Sequence, residues 1–262
     1  MGDKNLNDLL RWSIENTATG PSGTTTTNDA PRPTTTTTLN AEALAGLMGA
    51  PSDADLMRES MAAIVSDDPG VTLEARLTAF DNLEQLIESL DNANLLSKLG
   101  LWTPLLACLA HDEDQIRLMA AWCVGTAVQN NEPSQERLVA LGGVEKLVRM
   151  AVGKRLPAAT TTTSFSSSSA EIVGNGGKKE EEEEEEDVRK GGEESKTVRR
   201  KAVYALSSAV RNYQPAMDVC TAELRRQGHG EHVGEDGKAI DATDMDAVDV
   251  VINGLKEKVT SS

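Results

Sequence analysis

Three cysteines, three histidines and a run of eight acidic residues, Glu180 to Asp187, are the side chains with the most obvious chemistry. Their spacing argues against most of it. Cys108, Cys123 and Cys220 form no CxxC pair, so they outline neither a disulfide framework nor a zinc knuckle. Cys220, His229 and His232 have metal-ligating types, but no second cysteine pair accompanies them and His229-Gly-Glu-His232 lies in a Gly-rich stretch. A rigid tetrahedral site needs firmer scaffolding, and these histidines read as loop residues. Cys108 and Cys123 fall on apolar helix faces and read as inert core. Gly174–Gly177 (GNGG) is not followed by the GK[ST] of a phosphate-binding loop, and no nucleophile elbow or Ser–His–Asp set is present. The residues therefore predict a protein without catalytic site, metal or cofactor.

Composition narrows the partners. Of 262 residues, 39% are hydrophobic and only 3% aromatic, so the core must be aliphatic. The formal net charge is -16. Nucleic-acid binders need clustered Lys and Arg to replace the counterions of phosphate, so nucleic acid is excluded as an expectation, and a basic partner surface is favoured over an acidic one. The acidic run reads as a solvated segment. No apolar stretch reaches signal-peptide or membrane-spanning length. With the unpaired cysteines, this predicts a cytoplasmic protein, expected to be a monomer.

The elements that would have to position a site are helices. Leu6, Leu9, Leu10 and Ile14 share one face of a short N-terminal helix over 1–16, followed by a disordered Thr/Pro tether over 17–39. Helices are predicted near 40–48 and from Pro51 to Ser66. The strongest signal begins at Thr72, where Leu73, Leu77, Phe80, Leu83, Ile87 and Leu90 recur every three or four residues. Ile116 to Val128 and Val198 to Val210 repeat that pattern. Leu90-Asp91-Asn92 is aligned with Val128-Gln129-Asn130 and Val210-Arg211-Asn212. The pairs Leu99-Gly100 and Leu141-Gly142 stand 42 residues apart, a spacing in the armadillo or HEAT range. Gly100 and Gly142 suit left-handed C-caps, and Thr103-Pro104 suits an N-cap with proline at the first helical position.

The expected fold is thus all-α: an armadillo-like right-handed superhelix of about three helical repeats with disordered low-complexity tracts. Residues 40–153 hold a helical N-cap and two repeats, 154–196 a disordered Ser/Thr/Glu-rich insertion, and 197–215 the third repeat. An irregular segment over 216–243 and a capping helix over 244–258 complete it.

Several blocks resemble the fungal armadillo-type nucleotide-exchange factors of heat-shock protein 70. They are LLRWSIEN (9–16), LTAFDNLEQLIESLDNANLLSKLGLWTPLL (77–106), MAAWCVGTAVQNNE (119–132), RRKAVYALSSAVRNYQP (199–215) and DMDAVDVVINGLK (244–256). The insertion is long and polar for its junction. About three repeats are present where yeast and animal relatives have a further one, whose contacts are not carried over. The resemblance implies a co-chaperone that grips the nucleotide-binding domain of a cytosolic heat-shock protein 70 and promotes release of ADP and client. It places a chaperone contact at the small residue matching Ala93, and a client-displacing role on the N-terminal arm, here Leu9, Leu10, Trp12 and Ile14.

Around Ala93, the polar residues at the helix ends are the candidate contact set: Asn92, Asn94, Gln129, Asn130, Asn131, Arg211 and Asn212. The competing role for each Asn is local, capping a helix or bonding loop backbone. The arm, likewise, could dock with Trp12 buried. The alternative function is an armadillo peptide-binding adaptor or scaffold, such as a transport receptor. The Trp and Asn ladder of import receptors is missing, because Thr126 follows Trp122 and Ser208 follows Tyr204 at the relevant spacing.

Overall fold

The computed structural model describes residue 49 and residues 51–157, 192–233 and 239–261. The chain divides into two units, 1–40 and 41–262. The first lies outside the described residues, and with it the N-terminal arm of Leu9, Leu10, Trp12 and Ile14. The helix expected near 40–48 lies outside them too.

The second unit is all-α and armadillo-like. Its helices are α1 (Asp53–Ile64), α2 (Leu73–Ile87), α3 (Leu90–Lys98), α4 (Trp102–Ala107), α5 (Asp114–Val128), α6 (Glu132–Ala140), α7 (Gly143–Ala151), α8 (Lys196–Val210), α9 (Gln214–Arg226) and α10 (Met245–Ser261). Ser52 and Thr72 start α1 and α2, their hydroxyls accepting from the N–H groups of Asp55 and Ala75 at 3.2 Å. α2, α5 and α8 are each 15 residues long. They stack side by side, with α1 against α2 and α10 against α8. A second row, α3, α6 and α9, packs behind them, and α7 bridges α8 and α9.

Register follows from which positions are buried. Phe80, Ala121 and Val203 sit eighth in their helices, Leu83, Val124 and Leu206 eleventh, and Ile87, Val128 and Val210 fifteenth. All nine are core residues. The sequence alignment of Leu90-Asp91-Asn92 with the other two helix ends is therefore three residues out. Ile87-Glu88-Ser89 is the true match. α2 stops at Ile87, and Leu90 opens α3 with 55% of its surface exposed. The cause is a difference in turn chemistry. After α5 and α8 the chain turns through left-handed Asn130 (φ 51°) and Asn212 (φ 57°), whereas after α2 it turns through Glu88 and Ser89 without such a residue.

Gly100 (φ 71°) and Gly142 (φ 67°) do take the left-handed conformation expected of them. Beyond Gly100, the Leu101 N–H returns to the Leu96 carbonyl at 2.9 Å, closing α3 so tightly that α4 starts at Trp102. Thr103 is consequently inside α4 rather than its N-cap, which is Leu101. Pro215 also differs from expectation: it lies in the first turn of α9, as Pro133 does in α6, where a missing N–H costs nothing. The segment read as irregular is thus helical through Arg226.

The insertion is narrower than 154–196. Lys154 and Glu193 form an antiparallel bridge, and Glu194 N–H donates to the Gly153 carbonyl at 2.9 Å. The Glu194 carboxylate accepts from Arg117 Nε (2.9 Å) and Nη2 (2.8 Å) within the core. The same guanidinium donates to the carbonyls of His111 and Asp112. The residues flanking 158–191 are thereby fastened to one another and to α5.

Candidate partner-binding surface

The candidate residues separate into two groups. Asn92 is buried, its amide donating to Asp53 Oδ2 at 2.8 Å and to the Leu86 carbonyl at 3.0 Å, so it joins the start of α1 to the end of α2. Asn131 is buried too, closing α5 through the Ala127 carbonyl at 3.1 Å and bonding Ser134 at 2.9 Å. Ala93 is 1% exposed and belongs to the core. Asn94 is half-buried. Gln129, Asn130 and Asn212 are exposed. Arg211 is half-buried and pairs with Asp249 of α10.

Gln135 was not singled out by its sequence. Its Nε2 lies 3.0–3.2 Å from the carbonyls of Ser208, Ala209 and Arg211, so α6 caps the C-terminus of α8. No local pattern announces such a bond, because donor and acceptors are more than 70 residues apart.

The exposed side of α2, α5 and α8 forms one stripe, and the equivalence of the three helices orders it. The ninth positions are Asp81, Trp122 and Tyr204, the thirteenth Gln85, Thr126 and Ser208, and the C-caps Glu88, Gln129 and Arg211. Cross-links fix its side chains. Thr126 Oγ1 donates to Glu84 Oε1 at 2.7 Å. The Lys201 ammonium sits 3.4 Å above the centre of the Trp122 ring and 5.6 Å from that of Tyr204, a cation–π arrangement. The Tyr204 hydroxyl donates to Gln129 Oε1 at 3.4 Å.

Gly125 makes this layer possible. A Cβ there would lie 2.6 Å from Tyr204 Cε1 and 3.1 Å from the Ala205 Cα. Glycine thus lets α5 and α8 approach and lets the tyrosine ring lie across α5. Tyr204 remains 38% exposed and Trp122 half-buried. In a chain with seven aromatic residues, two lie adjacent on this one surface. Large amphipathic rings held in place beside charge are the residue types that concentrate binding energy at protein interfaces.

The cysteines have no part in it. All three are free and buried; burial pushes the Cys108 thiol up to about 11 and that of Cys220 to about 12. Burial and nearby acidic groups raise Cys123 as well. Among the described residues no group of three or more His, Cys, Asp or Glu could hold a metal.

Comparison with known proteins follows the same outline. Residues 6–96 match the family model described as nucleotide exchange factor Fes1. The chain is 49% identical over 260 residues to a Gibberella zeae protein named Hsp70 nucleotide exchange factor FES1, covering 99% of each chain. It is 44% identical to the Neurospora crassa protein of the same name, over 99% of this chain and all of the other. A Saccharomyces cerevisiae protein so named is 41% identical over 154 residues, which span 58% of this chain and 50% of that one. An identity sustained from end to end of both chains means that this chain belongs to the Fes1 family of nucleotide exchange factors.

Proposed function

We propose that the chain is a co-chaperone that binds the nucleotide-binding domain of a cytosolic heat-shock protein 70 and promotes release of ADP, and thereby of client. The observation that carries this reading is the 49% identity over 99% of both chains with a protein named for that activity. The geometry supports it through the exposed stripe: a rigid surface drawn from three helices suits a folded partner.

Exchange requires differential affinity and no bond-making. If the factor binds the open, nucleotide-poor chaperone better than the ADP-bound one, ADP and factor must weaken each other equally. A coupling of about 1–3 kcal/mol corresponds to about 5–150-fold. The chain therefore acts without catalysis of its own, as a monomer, with no metal or cofactor required. Three free, buried thiols suit the reducing cytoplasm, where we place it. Gln129, Asn130, Arg211 and Asn212 lie at or beside the stripe and are proposed as contacts. Asn92, Ala93 and Asn131 are buried and support the helix ends from within, and Asn94 is half-buried on α3. The client-displacing role of Leu9, Leu10, Trp12 and Ile14 is retained as a proposal on the resemblance.

The test is stopped-flow release of a fluorescent ADP analogue from purified cytosolic heat-shock protein 70. Acceleration that saturates with the concentration of this chain is expected. An unchanged release rate with correctly folded protein would reject exchange and favour an adaptor or scaffold.

A further inference from the structure

The stripe carries opposite charge at its two ends. Its α2 part presents Glu74, Asp81, Glu84 and Glu88. Its α8 part presents Arg200 and Lys201, and neither is within ion-pair distance of a carboxylate among the described residues. This reverses locally what the net charge of -16 suggests, since much of that charge lies in the run at 180–187 and on α2.

Lys201 is also partly withdrawn from water. Burial lowers its pKa, with Glu84 opposing the change. The Trp122 ring holds the ammonium in place but supplies no counter-charge. A carboxylate arriving from outside would meet a fixed cation beside two aromatic rings, where exclusion of water strengthens the attraction. An acidic surface laid over Asp81 and Glu88 would be repelled.

Resting on the exchange reading above, we propose that Lys201 on Trp122, flanked by Arg200 and Tyr204, receives a carboxylate-bearing patch of the chaperone's nucleotide-binding domain. The acidic α2 end accepts neutral or basic surface. Two opposite demands on one stripe admit a single orientation of the partner, so the polarity sets docking direction as well as affinity.

The experiment uses the full chain and purified nucleotide-free heat-shock protein 70. Affinity is measured at low and at physiological salt for wild type, Lys201→Glu, Arg200→Glu, Lys201→Arg and Lys98→Glu. Lys98 is exposed at the end of α3, and its reversal is a matched charge change away from the stripe. At low salt, Lys201→Glu and Arg200→Glu are expected each to weaken binding about tenfold and to flatten its salt dependence. Lys98→Glu should stay within about twofold of wild type, and Lys201→Arg, which keeps the charge but changes the stacked geometry, should retain the wild-type salt dependence that Lys201→Glu loses. A folded Lys201→Glu protein with wild-type affinity and salt dependence would overturn the inference while leaving exchange intact. If wild type itself neither binds nor accelerates ADP release, the exchange reading fails and this inference with it.

Discussion

At the scale of single residues, Gly125 and Ala93 show how a small side chain can matter from beneath a surface. Gly125→Ala would drive a methyl group into Tyr204 and toward the α8 backbone. We expect a loss of about 1–3 kcal/mol in urea unfolding, with Tyr204→Ala restoring part of it; a Gly125→Ala protein as stable as wild type would show that α5 and α8 tolerate separation. Ala93→Arg is expected to act differently from a contact mutation. The site is 1% exposed, so the guanidinium must enter the core unpaired or force α3 outward. Its signature is a lowered thermal midpoint that accompanies any loss of exchange. A variant that lost exchange at an unchanged midpoint would restore Ala93 to the contact surface. The turn residues obey a separate rule: Asn130 and Asn212 hold left-handed backbone, so replacement by Gly should be nearly neutral, and by Ala destabilising by about 1 kcal/mol.

Between elements, the ties are polar groups buried at helix ends. Arg117 and Glu194 hold α5 to the lead-in of α8, both side chains being almost wholly buried. Without Glu194 the Arg117 guanidinium keeps Asp114 and the carbonyls of His111 and Asp112 as partners, so Glu194→Ala should cost about 1.5–3 kcal/mol, measured by urea unfolding. Glu223 of α9 joins α7 through Arg149 Nε at 3.3 Å and holds Arg226 and Gln227. Burial opposes its ionisation, but the bonds from Arg226, Gln227 and Arg149 prevail and hold its pKa below 4.5. A depressed folded pKa gives stability that is present above the unfolded value and lost as pH falls through the folded one. Glu223→Gln should therefore be less stable than wild type at pH 7, and the difference should shrink below about pH 4.5. A difference independent of pH would mean that the carboxylate contributes shape rather than charge.

For the whole molecule, the bridge between Lys154 and Glu193 predicts that the intervening residues are dispensable for folding. Replacing 158–191 with a short Gly/Ser linker adds little closure entropy, because Gly153 and Glu194 already hold the two ends together. The shortened protein is expected to melt within a few degrees of wild type. A much lower midpoint would assign a packing role to the removed residues. The stripe across α2, α5 and α8 should survive this deletion, so exchange by the shortened chain separates a regulatory role of the acidic run from a structural one.

Much of the fold is legible in the sequence. Aliphatic residues every three or four positions specify amphipathic helices wherever they occur, and their recurrence in three 15-residue helices announced a stacked array. Gly100 and Gly142 marked helix ends because few other residues adopt positive φ cheaply. Register and exposure were not local properties. Leu90 continues the apolar spacing of α2 perfectly well, and only the turn at Glu88-Ser89 carries it out to solvent. The helix-end Asn residues look alike in sequence, yet packing buries Asn92 and Asn131 and leaves Asn130 and Asn212 on the surface. Trp122, Lys201 and Tyr204 meet only because Gly125 brings α5 and α8 together, and the polarity of the stripe arises from side-by-side helices that are far apart in the chain. Periodicity and turn chemistry act over a few residues and so determined the helices; which side chains share a surface is set by packing between them, and tertiary structure alone decided it.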